Sequence, residues 1–283
     1  MKKLSIYLIL SLSFLVVSCE QEEVKVDLPT NEHYLFGNPS AAKKETTSPD
    51  NYLVEKKQFV LAYNESKGIS NWVSWHLEQS WVGTTKRQDD FRPDADLPSS
   101  YYKVSDGSYN GSGFDRGHIC PSGDRTSDVT TNSATFVMSN MFPQAPDVNQ
   151  MNWAKLEDYC RDLMYAGNEL YIIAGGYGQG GTGNNGSVTK TIDNGKVWVP
   201  SNCWKVVVIM PKGDDDFNRF TAANRVIAID IPNKNSFGTK SWGDYRVSIN
   251  DIEAKTKFDI LSNLPQALQD KIEGGVDNGP TTK

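Results

Sequence analysis

The chain has 283 residues, of which 23% are charged and 38% are hydrophobic, and its formal net charge is −6. This is the composition of an ordinary globular protein with a sizeable core, and one domain is predicted because no internal linker or repeat divides the body. The acidic balance argues against a broad basic surface that grips nucleic acid, but it leaves room for a site where a bound cation supplies the positive charge.

The amino terminus has the pattern of a secretory signal peptide, which we predict over residues 1–18. Two lysines precede an apolar run at residues 4–17, which is shorter than the roughly 20 residues that span a bilayer. Residues 16–19 read Val-Val-Ser-Cys and resemble the lipobox of bacterial lipoproteins, which implies cleavage before Cys19 and acylation of its thiol. Plain secretion is the alternative. We therefore expect an exported protein, lipid-anchored to the bacterial cell envelope at the outer membrane, facing either the periplasm or the cell surface.

The remaining chain divides into a tether, one domain and a tail. Residues 19–50 mix charges with three prolines and several Ser and Thr, so we predict a flexible, lipid-anchored tether there. The domain is predicted over residues 51–275, and a disordered tail is predicted over residues 276–283.

Three cysteines remain after the lipobox, and they are Cys120, Cys160 and Cys203. In an exported protein we expect one disulfide bond with one cysteine left over, and the sequence does not select the pair. A zinc site is a weaker interpretation, because no two of these cysteines are closely spaced.

The first predicted elements of the domain are two strands followed by loops. Residues 58–63 and 71–76 alternate apolar with polar side chains, which predicts two antiparallel strands. Residues 87–94 form a charged loop broken by proline, and residues 101–113 form a polar loop rich in glycine and serine.

The segment Phe-Asp-Arg-Gly-His-Ile-Cys-Pro-Ser at residues 114–122 places a cation, a glycine and an imidazole in consecutive positions. Gly117 can adopt backbone angles that are closed to other residues, so we predict a tight bend that aims Arg116 and His118 at one point. Because the ordinary pKa of histidine is about 6.5, His118 can act as a general base toward a water that attacks phosphorus. A structural histidine is the alternative.

A strand is predicted at residues 134–138, and a helix is predicted from about residue 149 to residue 165. Polar residues recur at four-residue intervals along this helix, so Asn149, Glu157 and Arg161 should lie along one face. A loop histidine beside a polar helical stripe predicts a metal-assisted hydrolytic site.

Each of these polar side chains has a functional and a structural interpretation. The amide oxygen of Asn149 is a hard ligand suited to Mg²⁺, but Asn149 is equally suited to capping the helix. Glu157 can accept hydrogen bonds from metal-bound water, or it can pair with Arg161 at the surface. Arg87, Arg116 and Arg161 can neutralise phosphate oxygens in a transition state, or they can be solvated surface residues.

The second half of the chain predicts a buried sheet and two closing helices. The predicted strands are residues 169–174, 196–200, 204–210 and 225–231, and the predicted helices are residues 249–257 and 264–272. Residues 175–186 hold seven glycines without the Gly-Lys-Ser/Thr ending of a phosphate-binding loop, so a mobile surface loop is predicted there.

Three ordered motifs resemble the DNA/RNA non-specific endonuclease family, and the resemblance covers roughly residues 57–265. They are Asp-Arg-Gly-His at residues 115–118, Ser-Asn-Met-Phe-Pro-Gln at residues 139–144, and Asn149-Gln150 followed by Trp153 and Leu156-Glu157. The resemblance implies an α+β fold, a layered α/β/α domain with a central antiparallel sheet and a ββα-metal active-site motif.

The same resemblance implies a role for each matched residue. His118 corresponds to the general base, Asn149 to the single direct ligand of Mg²⁺ (for which Mn²⁺ can substitute), Asn140 to a residue that holds the site, and Glu157 to the acid that fixes metal-bound waters. Arg116 and Arg161 fall on family arginines. Arg87 corresponds to the arginine of the upstream loop, with Arg92 as its rival.

The implied activity is Mg²⁺-dependent hydrolysis of DNA and RNA to products with 5′-phosphates, with nucleic acid and the membrane as partners and no protein partner evident. One alternative is a phosphodiesterase that acts on small nucleotides or phosphate esters, which the acidic balance suggests. Another is a non-catalytic surface lipoprotein that binds nucleic acid.

Overall fold

The computed structural model describes residues 28–235 and 240–282. The predicted signal peptide and Cys19 lie outside the described residues. Among those that are described, no helix combines the length and the apolar character that crossing a bilayer requires.

Short and long strands alternate with few helices along the chain. The strands are β1 (Tyr52–Glu55), β2 (Val60–Asn64), β3 (Ile69–Leu77), β4 (Asp115–His118), β5 (Met141–Gln144), β6 (Asn168–Tyr177), β7 (Gly181–Thr182), β8 (Val188–Thr189), β9 (Thr191–Ile192), β10 (Val197–Trp198), β11 (Asn202–Pro211) and β12 (Arg225–Pro232). The helices are α1 (Val129–Ala134), α2 (Ala154–Tyr165), α3 (Asp216–Arg219), α4 (Ile249–Thr256) and α5 (Gln266–Ile272), and a π-helical turn at Val148–Trp153 precedes α2.

A six-stranded sheet in the order β1-β2-β3-β6-β11-β12 forms the middle layer, and every neighbouring pair in it is antiparallel. Successive side chains of a strand point to opposite faces. On β3, Val73 and Trp75 therefore pack into one hydrophobic core, while Trp72 packs into a second core on the other face. This sheet confirms the predicted α+β class with a central antiparallel sheet.

The two cores lie against different outer elements. The first core includes Met141 from β5 together with Trp153 and Leu156 from the π-helical turn and α2. The second core includes Ile249 and Ile252 from α4. Helical segments thus cover both faces of the sheet, and the antiparallel pair β4–β5 with α2 forms the layer that carries the predicted site.

Most predicted strands and helices are present, but the strand predicted at residues 134–138 is wrong. Helix α1 ends at Ala134, and a 3₁₀ turn follows at Met138–Asn140. The Asp128 side chain accepts a hydrogen bond from the Thr131 amide and so caps α1. This local cap outweighs the short apolar alternation from which the strand was predicted.

The predicted tether is wrong for its described part from about residue 31 onward. Phe36 and Ala42 are buried in the second core, and Ser40 accepts a hydrogen bond from the Trp72 indole. The tail is ordered as well, because Asp277 forms ion pairs with Arg225 and Arg246. Composition predicted disorder in both segments because it does not show which apolar or charged residues find partners far along the chain.

The predicted disulfide bond is wrong, since Cys120, Cys160 and Cys203 are buried free thiols. Cys160 belongs to α2 and Cys203 to β11, and both pack as small apolar residues in the first core. Burial raises the pKa of the Cys120 and Cys160 thiols to about 12, so these side chains stay protonated.

The glycine-rich segment is docked on its neighbours rather than free at the surface. Strand β6 extends through Tyr177, and β7 pairs with β8, which follows the segment. The Asn184 amide donates a hydrogen bond of 2.9 Å to the carbonyl of Gly113, just before the Asp-Arg-Gly-His motif. The segment therefore supports the loop that leads into the motif.

Candidate active site

Strand geometry, not a tight bend, directs Arg116 and His118 to the same side. Both residues lie in β4 with Gly117 between them, and residues two apart in a strand share a face. Gly117 pairs with Phe142 and does not adopt a left-handed conformation. A Cβ at this position would overlap the Gln144 side chain. The predicted bend is therefore wrong, and the glycine is needed for close packing.

His118 lies at the base of the site and is 8% exposed. Its carbonyl accepts a hydrogen bond from the Trp153 indole, and its ring packs edge-on against Phe136 and Phe91, with centroid distances of 4.9 and 5.6 Å. The Nε2 atom has no hydrogen-bond partner among the described residues. Burial, with the charges of Arg87 and Arg116, lowers the pKa of His118 to about 3. The imidazole is therefore neutral at pH 7, which is the form that accepts a proton.

Asn149 is held in one orientation by the strand that carries His118. Its Nδ2 donates a 2.8 Å hydrogen bond to Oδ2 of Asp115, and Gln150 donates to the same oxygen. Because an ionised carboxylate only accepts hydrogen bonds, the amide nitrogen must face Asp115. The amide oxygen of Asn149 is left as an available ligand atom. Asn149 lies inside the π-helical turn, whose cap position is Asp147, so it is not the helix cap.

Asn140 fixes the chain immediately after His118. It is fully buried, and its side chain bonds the backbone of Cys120 twice, accepting from the amide and donating to the carbonyl, both at 2.9 Å. The same amide group donates to the carbonyl of Thr135, and the carbonyl of Asn140 accepts from the Ile119 amide. These bonds clamp the segment that follows His118 to the turn that precedes β5.

An open cleft of about 380 Å³ lies above these residues. It is lined by Arg87, Asp89, Phe91, Tyr109, Asn110, Gly111, Phe114, Asp115, Arg116 and Asn149. Phe91 lines the cleft and also contacts His118, so it separates the imidazole from the open space. The cleft therefore brings together Asn149, Arg87 and Arg116, and His118 lies next to it behind Phe91. The rival Arg92 lines a different cleft, with Lys56.

An aspartate forms an ion pair with each arginine of the cleft. Arg87 donates to Asp89 at 2.6 Å, and Arg116 forms an ion pair with Asp106. The Arg116 guanidinium also lies 4.3 Å from the centroid of the Phe91 ring, which fixes its position over that ring. Each arginine of the cleft is thus paired with a carboxylate.

Glu157 and Arg161 lie away from the lining of this cleft, in a buried charged group that we call the Glu157 cluster. Its members are Glu157, Lys205, Asp124 and Arg161. The Nζ atom of Lys205 lies 3.6 Å from Oε1 of Glu157, and Arg161 donates to Asp124 at 2.8 Å. Burial raises the pKa of Glu157 to about 7. The predicted surface pair between Glu157 and Arg161 is not formed.

Sequence reasoning missed several residues that shape the site. Asp115 orients Asn149, and Phe91 and Phe136 enclose His118. Lys205, which lies 4.0 Å from the Trp153 ring centroid, was visible as a lysine inside an otherwise apolar strand. A buried charge in such a strand needs a partner, and that was the available signal.

Comparison with known proteins finds nucleases by sequence and by fold. The family model described as DNA/RNA non-specific endonuclease matches residues 37–267. A nuclease from Nostoc sp. is 45% identical over 271 residues, covering 93% of this chain and 95% of the Nostoc protein. Nuclease C1 from Cunninghamella echinulata var. echinulata is 30% identical over 246 residues, covering 83% of this chain and 90% of that protein. Among solved structures, EndoG in its complex with EndoGI has a similar fold, with a TM-score of 0.68 at 20% identity over 84% of this chain and 93% of that chain.

Proposed function

The chain belongs to the DNA/RNA non-specific endonuclease family, and from this membership we propose that it is a Mg²⁺-dependent endonuclease that hydrolyses DNA and RNA to products with 5′-phosphates. In this proposal His118 is the general base and Asn149 is the metal ligand. One observation carries the proposal: the strand that presents Arg116 and His118 also holds the Asn149 amide through Asp115.

The donor atoms around Asn149 fit Mg²⁺. The Asn149 amide oxygen has no hydrogen-bond partner among the described residues, and the neighbouring Asp115 carboxylate adds negative charge. Mg²⁺ prefers oxygen ligands and keeps several waters, so one protein ligand in an open cleft suits it. When bound, the ion would stabilise negative charge on the phosphate and on the departing 3′ oxygen.

His118 would remove a proton from the attacking water. The water oxygen then bonds to phosphorus, the bond from phosphorus to the 3′ oxygen breaks, the 3′ oxygen takes a proton from solvent and leaves as a hydroxyl, and the phosphate stays on the 5′ side. The low pKa of free His118 comes partly from Arg87 and Arg116. Because a bound phosphate neutralises these charges, it raises the proton affinity of the imidazole when the substrate arrives.

The two arginines would hold the phosphodiester above His118. Both line the cleft, and each would exchange its carboxylate partner for a phosphate oxygen. Asn140 has no direct part in this step, because it is buried and bonded to backbone. It would keep His118 in place. Glu157 and Arg161 would act indirectly, by fixing α2 and the waters near its face.

A gel assay with plasmid DNA and with RNA tests the proposal. We expect both to be degraded with Mg²⁺ and neither to be degraded with EDTA. The variant His118→Ala should cleave both substrates about 10²–10⁴-fold more slowly than the wild type. Cleavage at the wild-type rate by a folded His118→Ala protein would refute the role of His118.

The alternatives make different predictions in the same assay. The open cleft favours a polymer over a small ester, so plasmid DNA should be cleaved far faster than bis(4-nitrophenyl) phosphate. Preference for the small ester would favour the phosphodiesterase. Binding of nucleic acid without any metal-dependent cleavage would favour the non-catalytic lipoprotein.

We also propose that the protein is exported and lipid-anchored at the outer membrane through Cys19. The lipobox pattern at residues 16–19 supports this. The variant Cys19→Ala should then appear in the soluble fraction. If that variant stays with the membranes exactly as the wild type does, the anchor is elsewhere.

A further inference from the structure

Three carboxylates on the face opposite the cleft converge without a positive partner. They are Glu253 of α4, Asp259 of the segment after α4, and Glu273 at the end of α5. One carboxylate oxygen from each lies within 4.8 Å of the others. In the described part of the chain, no lysine, arginine or histidine lies within ion-pair distance of any of them.

Glu273 gives a second, independent indication of a ligand. The residue is 5% exposed, and its Oε1 atom is buried with no hydrogen-bond partner among the described residues. A buried carboxylate oxygen without a partner costs free energy, and nearby carboxylates increase that cost. Burial, together with the charges of Glu253, Asp259 and Asp270, raises the pKa of Glu273 to about 7.

The backbone holds the three carboxylates together. The Ile260 amide donates to Oε1 of Glu253 at 2.7 Å, which fixes that side chain beside Asp259. The Glu273 carbonyl accepts from the Asn250 amide at 3.1 Å, so the end of α5 is tied to the start of α4. The cluster is therefore a fixed arrangement of three side chains from three segments.

We propose that Glu253, Asp259 and Glu273 bind a divalent cation of the Ca²⁺ type. All the donors are carboxylate oxygens, which hard cations prefer and which zinc sites seldom use alone. Ca²⁺ accepts six to eight oxygens at about 2.3–2.6 Å in a flexible geometry, whereas Mg²⁺ demands a near-ideal octahedron and keeps most of its waters, so three protein carboxylates that converge on one point suit Ca²⁺ better.

The cation would fasten α5 to α4 and to the segment between them. This part of the chain packs on the second core, through Ile252, Ile260 and Leu261, whereas the cleft is built on the first core. The site is therefore separate from the nuclease centre, and the inference does not depend on the proposed activity.

Thermal unfolding of the whole protein, freed of metal with EDTA and then given Ca²⁺, tests this proposal. At a Ca²⁺ concentration of about 100 times Kd, the wild-type Tm should rise by about 5 °C or more. The isosteric variant Glu273→Gln should lose most of this rise, and Asp259→Asn, at an exposed position, should reduce it. The control Asp270→Asn removes the same charge from α5, one turn before Glu273. Its Tm should rise with Ca²⁺ as much as that of the wild type.

Calorimetric titration with Ca²⁺ separates this site from the nuclease centre. The wild type should bind one more ion than Glu273→Gln, while both cleave plasmid DNA at the same rate in Mg²⁺. An equal Ca²⁺ response in wild type, Glu273→Gln and Asp259→Asn would overturn the proposal and show that the cluster holds a proton instead.

Discussion

The cleft and the Glu157 cluster both pair basic with acidic side chains, but the pairs are exposed in the cleft and buried in the cluster. In the cleft, Arg87 and Arg116 have side chains that are 49% and 34% exposed. In the Glu157 cluster, Lys205 and Glu157 have side chains that are 1% and 14% exposed. Exposed ion pairs contribute little and exchange partners easily, whereas loss of one member of a buried pair leaves an unpaired charge. The exposed pairs of the cleft suit the proposed exchange of a carboxylate for a phosphate, whereas the buried pairs of the cluster connect α2 to β11 and to Asp124.

The comparison predicts a large loss of activity at Asn149, of the same order as the loss expected for His118→Ala. Asn149→Ala should lower DNA cleavage by about 10³-fold at fixed Mg²⁺, because it removes the proposed metal ligand while leaving the exposed cleft otherwise intact. The matched control is Gln150→Ala, which removes a bond to the same oxygen of Asp115. We expect less than a tenfold loss there, measured as initial rates across a Mg²⁺ titration. Equal losses in the two variants would argue against a special role for Asn149.

The cluster should instead respond in stability. Lys205→Met should lower the free energy of unfolding by about 3 kcal/mol, because Glu157 is left buried without its cation. The double variant Lys205→Met/Glu157→Gln should recover much of this loss. Lys212→Met removes an exposed lysine that pairs with Glu78, and it should cost less than about 1 kcal/mol. Urea denaturation measures all three, and a small loss in Lys205→Met would show that the buried pair is not required.

The contributions of His118 and Glu157 to folding stability should change in opposite directions with pH. Burial lowers the pKa of His118 to about 3, while in the unfolded chain it is about 6.5. The contribution of neutral His118 to stability is therefore complete above about pH 6.5 and is lost as the pH falls toward 3. Burial raises the pKa of Glu157 to about 7, so its contribution is present at low pH and is lost as pH rises through 7.

Urea midpoints at pH 7 and pH 5 test these signs. On going from pH 7 to pH 5, His118→Gln should lose less stability than the wild type, and Glu157→Gln should lose more. His33, whose pKa is also lowered to about 3, titrates equally in all three proteins and cancels from the comparison. Parallel changes in the three proteins would contradict the assigned directions.

The smallest expected effect comes from the carboxylates that occupy the cleft arginines. Asp106→Asn should lower the KM for plasmid DNA by a few fold at low salt with kcat unchanged, because Arg116 no longer has a competing partner. Asp214→Asn changes the net charge equally at an exposed position outside the cleft, and it should leave KM unchanged. A fall in kcat would show instead that Asp106 positions Arg116.

Much of the fold could be predicted because its strands are long and apolar. The strands predicted at residues 204–210 and 225–231 correspond to β11 and β12, and the helix predicted from residue 149 corresponds to the π-helical turn with α2. The strand predicted at residues 134–138 failed because a capping aspartate decided the local structure. The tether failed because the packing of Phe36 depends on partners far along the chain.

The site was only partly predictable for a similar reason. Spacing and motifs singled out His118, Asn149 and Arg116, of which Asn149 and Arg116 line one cleft and His118 lies behind Phe91. Neither signal showed that Asp115 orients the Asn149 amide or that Phe91 covers His118. Both contacts arise from the pairing of a strand with a distant helix and loop, which periodicity does not encode.

The central claim is that the imidazole at position 118 takes the proton of the attacking water, and chemical rescue tests it most directly. His118→Ala leaves a cavity between Phe91 and Phe136, and added imidazole should enter it and restore Mg²⁺-dependent cleavage at neutral pH. The same addition should leave Asn149→Ala inactive. Full activity of His118→Ala without imidazole, or rescue of Asn149→Ala as well, would contradict the account.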